Sequence, residues 1–249
     1  MNIAIVSAVL PVLILLYFIY KKDKYEPEPI GKLVLVFFVG CLSVVPAVLM
    51  EMVLGLFAPG TPVLNGLYTG FAVAGFSEEF CKLVLLMLVI WRSPHFDEYF
   101  DGIVYAVFLS LGFACVENVM YVMGGTDTML TALMRGLLAV PAHFLFAVTM
   151  GYHLSLAKFD YTNQRRHLLQ ALLYPVLLHG TYDALLMVSD NLGDSEQGLL
   201  VSGGLMLAFI VFDVMMWRWG MRRIKRMQER SQEQGFDRRN PFDGFTWDV

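Results

Sequence analysis

Charge is scarce in this 249-residue sequence. Asp, Glu, Lys and Arg make up 16% of it, where a soluble domain carries roughly a quarter. That scarcity excludes an ordinary water-soluble domain, and no nucleic-acid partner is expected. Cysteine is also rare. Cys41, Cys81 and Cys115 lie in apolar runs with no CxxC spacing, which argues against a disulfide framework or a thiolate metal site and reads as apolar filling. There is no GxSxG serine elbow, no HExxH zinc helix, no phosphate-cradling glycine loop and no alternating β-barrel pattern. Nor do Asp183 and Asp213 sit in the motifs of paired-aspartate membrane proteases. No internal repeat stands out, which disfavours a transporter built from inverted halves.

What is abundant is oil. Hydrophobic residues make up 57% of the chain and mean hydropathy is +0.59. The apolar residues fall into seven runs, approximately 3–20, 31–57, 66–91, 100–123, 128–157, 167–189 and 198–219. Each is long enough to cross a hydrocarbon core of ~30 Å, for which about 20 residues suffice. Backbone groups in lipid must bond within their own segment, so the expected fold is all-α, a polytopic bundle of about seven transmembrane helices. Pro46 and Pro175 fall inside runs and are expected to kink them. The first run has no basic leader or small-residue cleavage site and reads as a retained span.

Basic residues set the orientation. Lys21, Lys22, Lys24 and Lys32 flank the first connection, Arg92 lies in the third, and Lys158, Arg165 and Arg166 lie in the fifth. Arg218, Arg222, Arg223, Lys225 and Arg226 follow the last span. The intervening connections APGTP, GGTDT and SDNLGDSEQG have neither Lys nor Arg. The positive-inside rule then puts the N-terminus outside and the C-terminus in the cytoplasm of a multi-pass plasma-membrane protein. Residues 1–227 read as one transmembrane domain. Residues 228–249 read as a short flexible tail, with Trp247 near the surface.

Against this apolar background the intramembrane polar residues stand out, because each is costly to bury in lipid. Glu78 and Glu79 lie in GFSEEFCK, with Lys82 four and three residues later on the same helical face. Lys82 compensates one carboxylate and leaves the other over. Glu117 and Asn118 lie in the fourth run, Arg135 and His143 in the fifth. His179 and Asp183 are spaced i, i+4 in the sixth, so the aspartate can orient the imidazole. Gly180 keeps that helix slim for a neighbour. His153 and His167 read as interfacial. Counted from the span ends, Glu78, His143 and His179 share one depth, at mid-membrane or toward the outer leaflet, with Glu117 slightly further out. Two histidines and a carboxylate suffice for a catalytic divalent metal, most simply Zn²⁺, with another glutamate to activate water. The same groups also suit metal-free acid–base hydrolysis. A proton- or cation-coupled transporter would use the same cluster as a relay, and a scaffold would use it only for packing.

In order along the chain, DKYEPEP (23–29), EEFCK (78–82), FDGIVYAVFLSLGFACVENVMY (100–121), Arg135 with His143, and HGTYD (179–183) resemble the PrsW family of intramembrane proteases. That family lies within the glutamate/histidine group that includes the CAAX prenyl proteases. In the CAAX group an arginine lies one position later than Lys82, and an asparagine follows the last histidine where Asp183 stands here. The resemblance implies an endopeptidase that cuts a single-span membrane substrate near the outer face, the best-known case being the first cut of an anti-sigma factor. It implies catalytic roles for Glu78, Glu79, Glu117, His143 and His179. Lys82, Asn118, Arg135 and Asp183 would support them, and Glu117, His143 and His179 are the expected metal ligands.

Overall fold

The computed structural model describes residues 2–124, 127–192 and 195–239. All regular structure among them is helical: α1 (Asn2–Lys22), α2 (Ile30–Gly55), α3 (Pro62–Tyr68), a π-helical segment (Thr69–Phe76), α4 (Ser77–Ile90), α5 (Asp101–Gly124), α6 (Thr128–Leu137), α7 (Ala139–Phe159), α8 (Gln164–Asn191) and α9 (Glu196–Arg239). Six stretches are long and apolar enough to span a membrane: 3–22, 30–55, 101–124, 128–159, 164–191 and 197–235. The seventh expected crossing is made by α3, the π segment and α4 in unbroken succession. α2 and α8 run on through Pro46 and Pro175.

The fifth expected span is two helices. The chain breaks at Leu138, and Pro141 explains the break, since it has no N–H to bond the preceding turn. α6 starts at an Asp127 cap, whose Oδ1 accepts the Leu130 N–H at 3.0 Å.

α5 and α7 form the inner pair, buried along most of their lengths. They come close at Gly102 and Gly151, where a Cβ on either would strike the other helix. α1, α2 and α9 turn Leu10, Phe38, Leu42, Leu207 and Ile210 outward, an apolar surface suited to acyl chains. The π segment packs on α8 through small residues. A Cβ on Gly70 would lie 2.7 Å from the Ala184 backbone N, and one on Gly180 would strike the Phe71 ring. Gly180 is thus the slim position expected from the sequence, and Phe71 is the neighbour that needs it.

The basic connections share one face of the bundle. Lys32 Nζ donates to Val89 O at 3.1 Å, Lys158 Nζ to Trp91 O at 2.7 Å, and Gln228 Nε2 to Lys22 O. On the opposite face Asn191 Nδ2 donates to Pro62 O at 3.2 Å. Residues flanking the first, third and fifth connections and the start of the basic tail thus meet on one side, and Pro62 and Asn191 meet on the other.

α9 runs past the end expected at 219 and past the expected tail boundary at 228. Its extension is tied to the basic face rather than loose. Ser231 Oγ accepts the Phe100 N–H at 2.9 Å, Gln234 Nε2 donates to Asp97 O at 2.9 Å, and the Tyr25 hydroxyl donates to Gln232 Oε1 at 3.0 Å. Trp247 lies outside the described residues. Beneath this extension Asp23, Glu28, Glu98 and Asp101 are buried. Asp101 Oδ2 accepts the backbone N–H groups of Asp97 and Glu98, and the Tyr105 hydroxyl donates to Glu28.

Candidate active site

The π segment ends one residue before Ser77-Glu78-Glu79, and α4 begins there. Ser77, Glu78, Glu79 and Lys82 are all buried. A widened turn at this place fits the frequent occurrence of π turns beside functional sites. Lys82 Nζ is the hub. It donates to Glu78 Oε2 at 3.0 Å and Glu79 Oε1 at 2.8 Å, and lies 3.1 Å from His143 Nδ1. These three contacts use all three ammonium donors. Its charge also sits 4.0 Å from the centre of the Phe113 ring.

Each histidine is held between two partners. His143 Nδ1 accepts from Lys82, so the other nitrogen carries the proton and donates to Glu117 Oε2 at 2.8 Å. His179 Nδ1 lies 3.0 Å from Glu79 Oε1, and its Nε2 lies 3.2 Å from Asp183 Oδ2. The His179 ring stacks on Phe146 at 4.7 Å and meets His143 nearly at right angles, 5.3 Å between centroids.

Glu78, Glu79, His143 and His179 each present one ligand atom, all within 4.8 Å of one another. This donor set fits a divalent metal. Glu117 and Asp183 grip the outer ring nitrogens, which leaves His179 Nδ1 facing the glutamate pair and His143 Nδ1 facing Lys82. A carboxylate on the far nitrogen is the usual support of a metal-bound histidine. Glu79 Oε2 is a buried acceptor with no hydrogen-bond partner, a lone pair that a cation or water would satisfy.

Every residue singled out from the sequence comes to this place, but not in one role. Glu117 stands outside the group of four. Its Oε2 takes Arg135 Nη2 at 2.9 Å as well as His143. Asn118 links that corner to α1, accepting from Arg135 Nε at 3.1 Å and donating to Ala8 O at 2.7 Å. Of the expected ligands Glu117, His143 and His179, the two histidines share the pocket with Glu78 and Glu79 instead. Depth was readable by counting, but the rotation of α5 about its axis was not. His153, expected at the interface, is buried against Tyr152 and Tyr174.

Glu51 on α2, not singled out from the sequence, is half-buried. It is a lone carboxylate in an apolar run, the same signal that marked Glu117.

Residues 28–216 match the family described as PrsW family intramembrane metalloprotease. The chain belongs to this family. Protease PrsW of Clostridioides difficile (strain 630) is 32% identical over 230 residues, covering 91% of this chain and 92% of that protein. Protease PrsW of Bacillus subtilis (strain 168) is 36% identical over 226 residues, 90% and 95% of the two chains. Protease PrsW of Geobacillus kaustophilus (strain HTA426) is 38% identical over 188 residues, 75% and 81%. No solved structure matches the chain. The protein is therefore an intramembrane protease with multiple membrane spans, which removes the footing of the transporter and scaffold readings.

Proposed function

We propose that this PrsW-family protease cuts a single-span membrane protein of the plasma membrane near its outer face, as the first cut of an anti-sigma factor. The carrying observation is the convergence of Glu78, Glu79, His143 and His179 within 4.8 Å. Their depth supports the outer side. Thirteen helical residues separate Glu78 from Trp91 at the basic face, a rise of about 20 Å in a core of about 30 Å. With the basic face cytoplasmic, the N-terminus is outside and the site lies in the outer half. Residues 1–227 carry the peptidase, and the segment from 228 onward serves the cytoplasmic side.

Glu78 is the proposed base. Its side chain retains 7% exposure, whereas Glu79 has none. Glu78 takes a proton from water as the water oxygen bonds to the scissile carbonyl carbon. It then delivers that proton to the amide nitrogen as the C–N bond breaks. Glu79 stays behind Lys82 and His179 as a fixed negative wall. Lys82 holds both carboxylates apart and oriented. Arg135 and Asp183 keep His143 and His179 turned inward, the first through Glu117. A divalent metal, Zn²⁺ being the simplest choice, would be held by His143, His179 and Glu79, whose Oε2 has no other partner, and would supply Lewis acidity toward the carbonyl and the water.

Reconstituted wild type and the Glu78→Gln, Glu79→Gln and His179→Ala variants, given a tagged single-span substrate, test this. Cleavage is expected from wild type alone. Undiminished cleavage by all three variants would overturn the proposal.

A further inference from the structure

We propose that α7 and α9 form a binding site for the phosphate of an anionic phospholipid at the basic face of the bundle. A groove of about 510 Å³ there is lined by Trp219, Arg222, Arg223, Lys225, Arg226 and Glu229. Lys225 has a loose partner, Glu229 at 3.7 Å. Among the described residues, Arg222, Arg223 and Arg226 form no ion pair with any carboxylate. Three guanidinium charges and Lys225 thus share a groove whose lining offers a single carboxylate, Glu229.

Two of these arginines are held in place by neutral groups. Arg223 Nη1 donates to Thr149 Oγ1 at 2.6 Å, and Arg226 Nη1 donates to Tyr152 Oη at 3.2 Å. Thr149 Oγ1 in turn donates to Leu145 O at 3.1 Å, so its free lone pair is aimed at Arg223. The Arg223 guanidinium also lies 5.6 Å from the Tyr152 ring centre. A guanidinium has five donors, and each of these two spends one on α7. The rest are oriented before any ligand arrives, which suits the fork geometry of a phosphate.

The surroundings identify the phosphate as a lipid's. On α9, Val211, Val214, Met215 and Trp219 form an exposed apolar stripe that ends at the arginines. Acyl chains lie along such a stripe, and the headgroup then reaches the level of Trp219, where aromatic side chains mark the membrane interface. Basic pockets between helices at this level suit anionic headgroups. Because the hydroxyls belong to α7, the helix of His143, a bound lipid would clamp α9 to the helix that carries part of the active site.

The test is native mass spectrometry of the full purified chain titrated with phosphatidylglycerol, phosphatidylcholine or inorganic phosphate. Wild type is expected to retain phosphatidylglycerol over phosphatidylcholine, and millimolar inorganic phosphate is expected not to displace it. Arg223→Gln/Arg226→Gln should weaken retention about tenfold or more, as loss of charged hydrogen bonds implies. Thr149→Val/Tyr152→Phe keeps every charge and loses only the hydroxyls. It should weaken retention too, whereas a diffuse positive surface would leave it unchanged. Arg222→Gln is exposed and leaves the α7 contacts in place, so its weaker binding separates lost affinity from lost folding. Equal retention of the two lipids, ready displacement by inorganic phosphate, or unchanged retention in Thr149→Val/Tyr152→Phe would each overturn the proposal.

Discussion

Lys82 Nζ lies 2.8 Å from Glu79 Oε1, and neither side chain has any exposure. A lysine and a glutamate fully withdrawn from solvent inside a membrane bundle must be in place together, because removing one strands the other. The same ammonium holds Glu78 and faces His143, so the geometry of three groups of the site depends on it.

Replacing Lys82 by methionine keeps the length of the side chain and removes the charge. We expect a loss of about 3–5 kcal/mol in stability, the range for breaking a buried pair, together with loss of cleavage. Thermal unfolding in detergent, read beside cleavage, checks this. An unchanged transition would mean that the pair contributes little to the fold.

Glu78→Gln and Glu79→Gln should differ. Glu78 is the base in our proposal, so its amide should unfold at nearly the wild-type temperature and yet fail to cleave. Glu79 also neutralises Lys82 and faces His179, so its amide should lose both stability and cleavage. Equal stability loss in the two variants would contradict this division of roles.

Metal content discriminates ligands from their supports. His143→Ala and His179→Ala should purify with much less divalent metal than wild type, as measured by elemental analysis. Glu117→Ala should retain the site but bind about 10–100-fold more weakly, the usual cost of losing the carboxylate behind a ligating histidine. Glu117→Ala behaving like His143→Ala would place Glu117 among the ligands themselves.

Gly180 is packed against Phe71, and a larger side chain there would drive α8 from the π segment. His179 sits on α8 and Glu79 on α4, which continues directly from the π segment, and the two side chains are 3.0 Å apart. Gly180→Val should therefore abolish cleavage although it alters no polar group. Gly180→Val combined with Phe71→Ala should recover part of the activity. No recovery in the double variant would show that this contact is not what positions the pair.

The buried acids at the basic face predict a pH dependence. Burial raises Asp23 to about 6, and it raises Glu28 and Glu98 to about 7, with neighbouring acids adding to the effect. In the unfolded chain they return to ordinary values near 4. Between about pH 4 and 7 the folded state therefore holds protons that the unfolded state has released. Stability from these groups is greatest at low pH and falls as pH rises toward 7. Hydrogen exchange of residues 23–29 and 96–101 should quicken from pH 5 to pH 7.5 after correction for intrinsic rates. Glu98→Gln should flatten that trend.

The apolar runs alone determined the membrane class and the helical fold, because a lipid environment leaves few solutions for a backbone. Intramembrane charge and polarity likewise mark Glu78, Glu79, Lys82, Glu117, His143 and His179 in the sequence itself. What remained undetermined was how each helix turns about its axis and where it breaks. Hydropathy is nearly uniform around α5 and α7, so it cannot say which way Glu117 points. A π segment leaves no compositional mark, and the proline that splits α6 from α7 resembles those that α2 and α8 run through. Only packing decided that Glu117 stands behind His143 while Glu78 and Glu79 face the pocket. Close contacts at Gly70, Gly102, Gly151 and Gly180 set those rotations, and they join residues far apart in the chain.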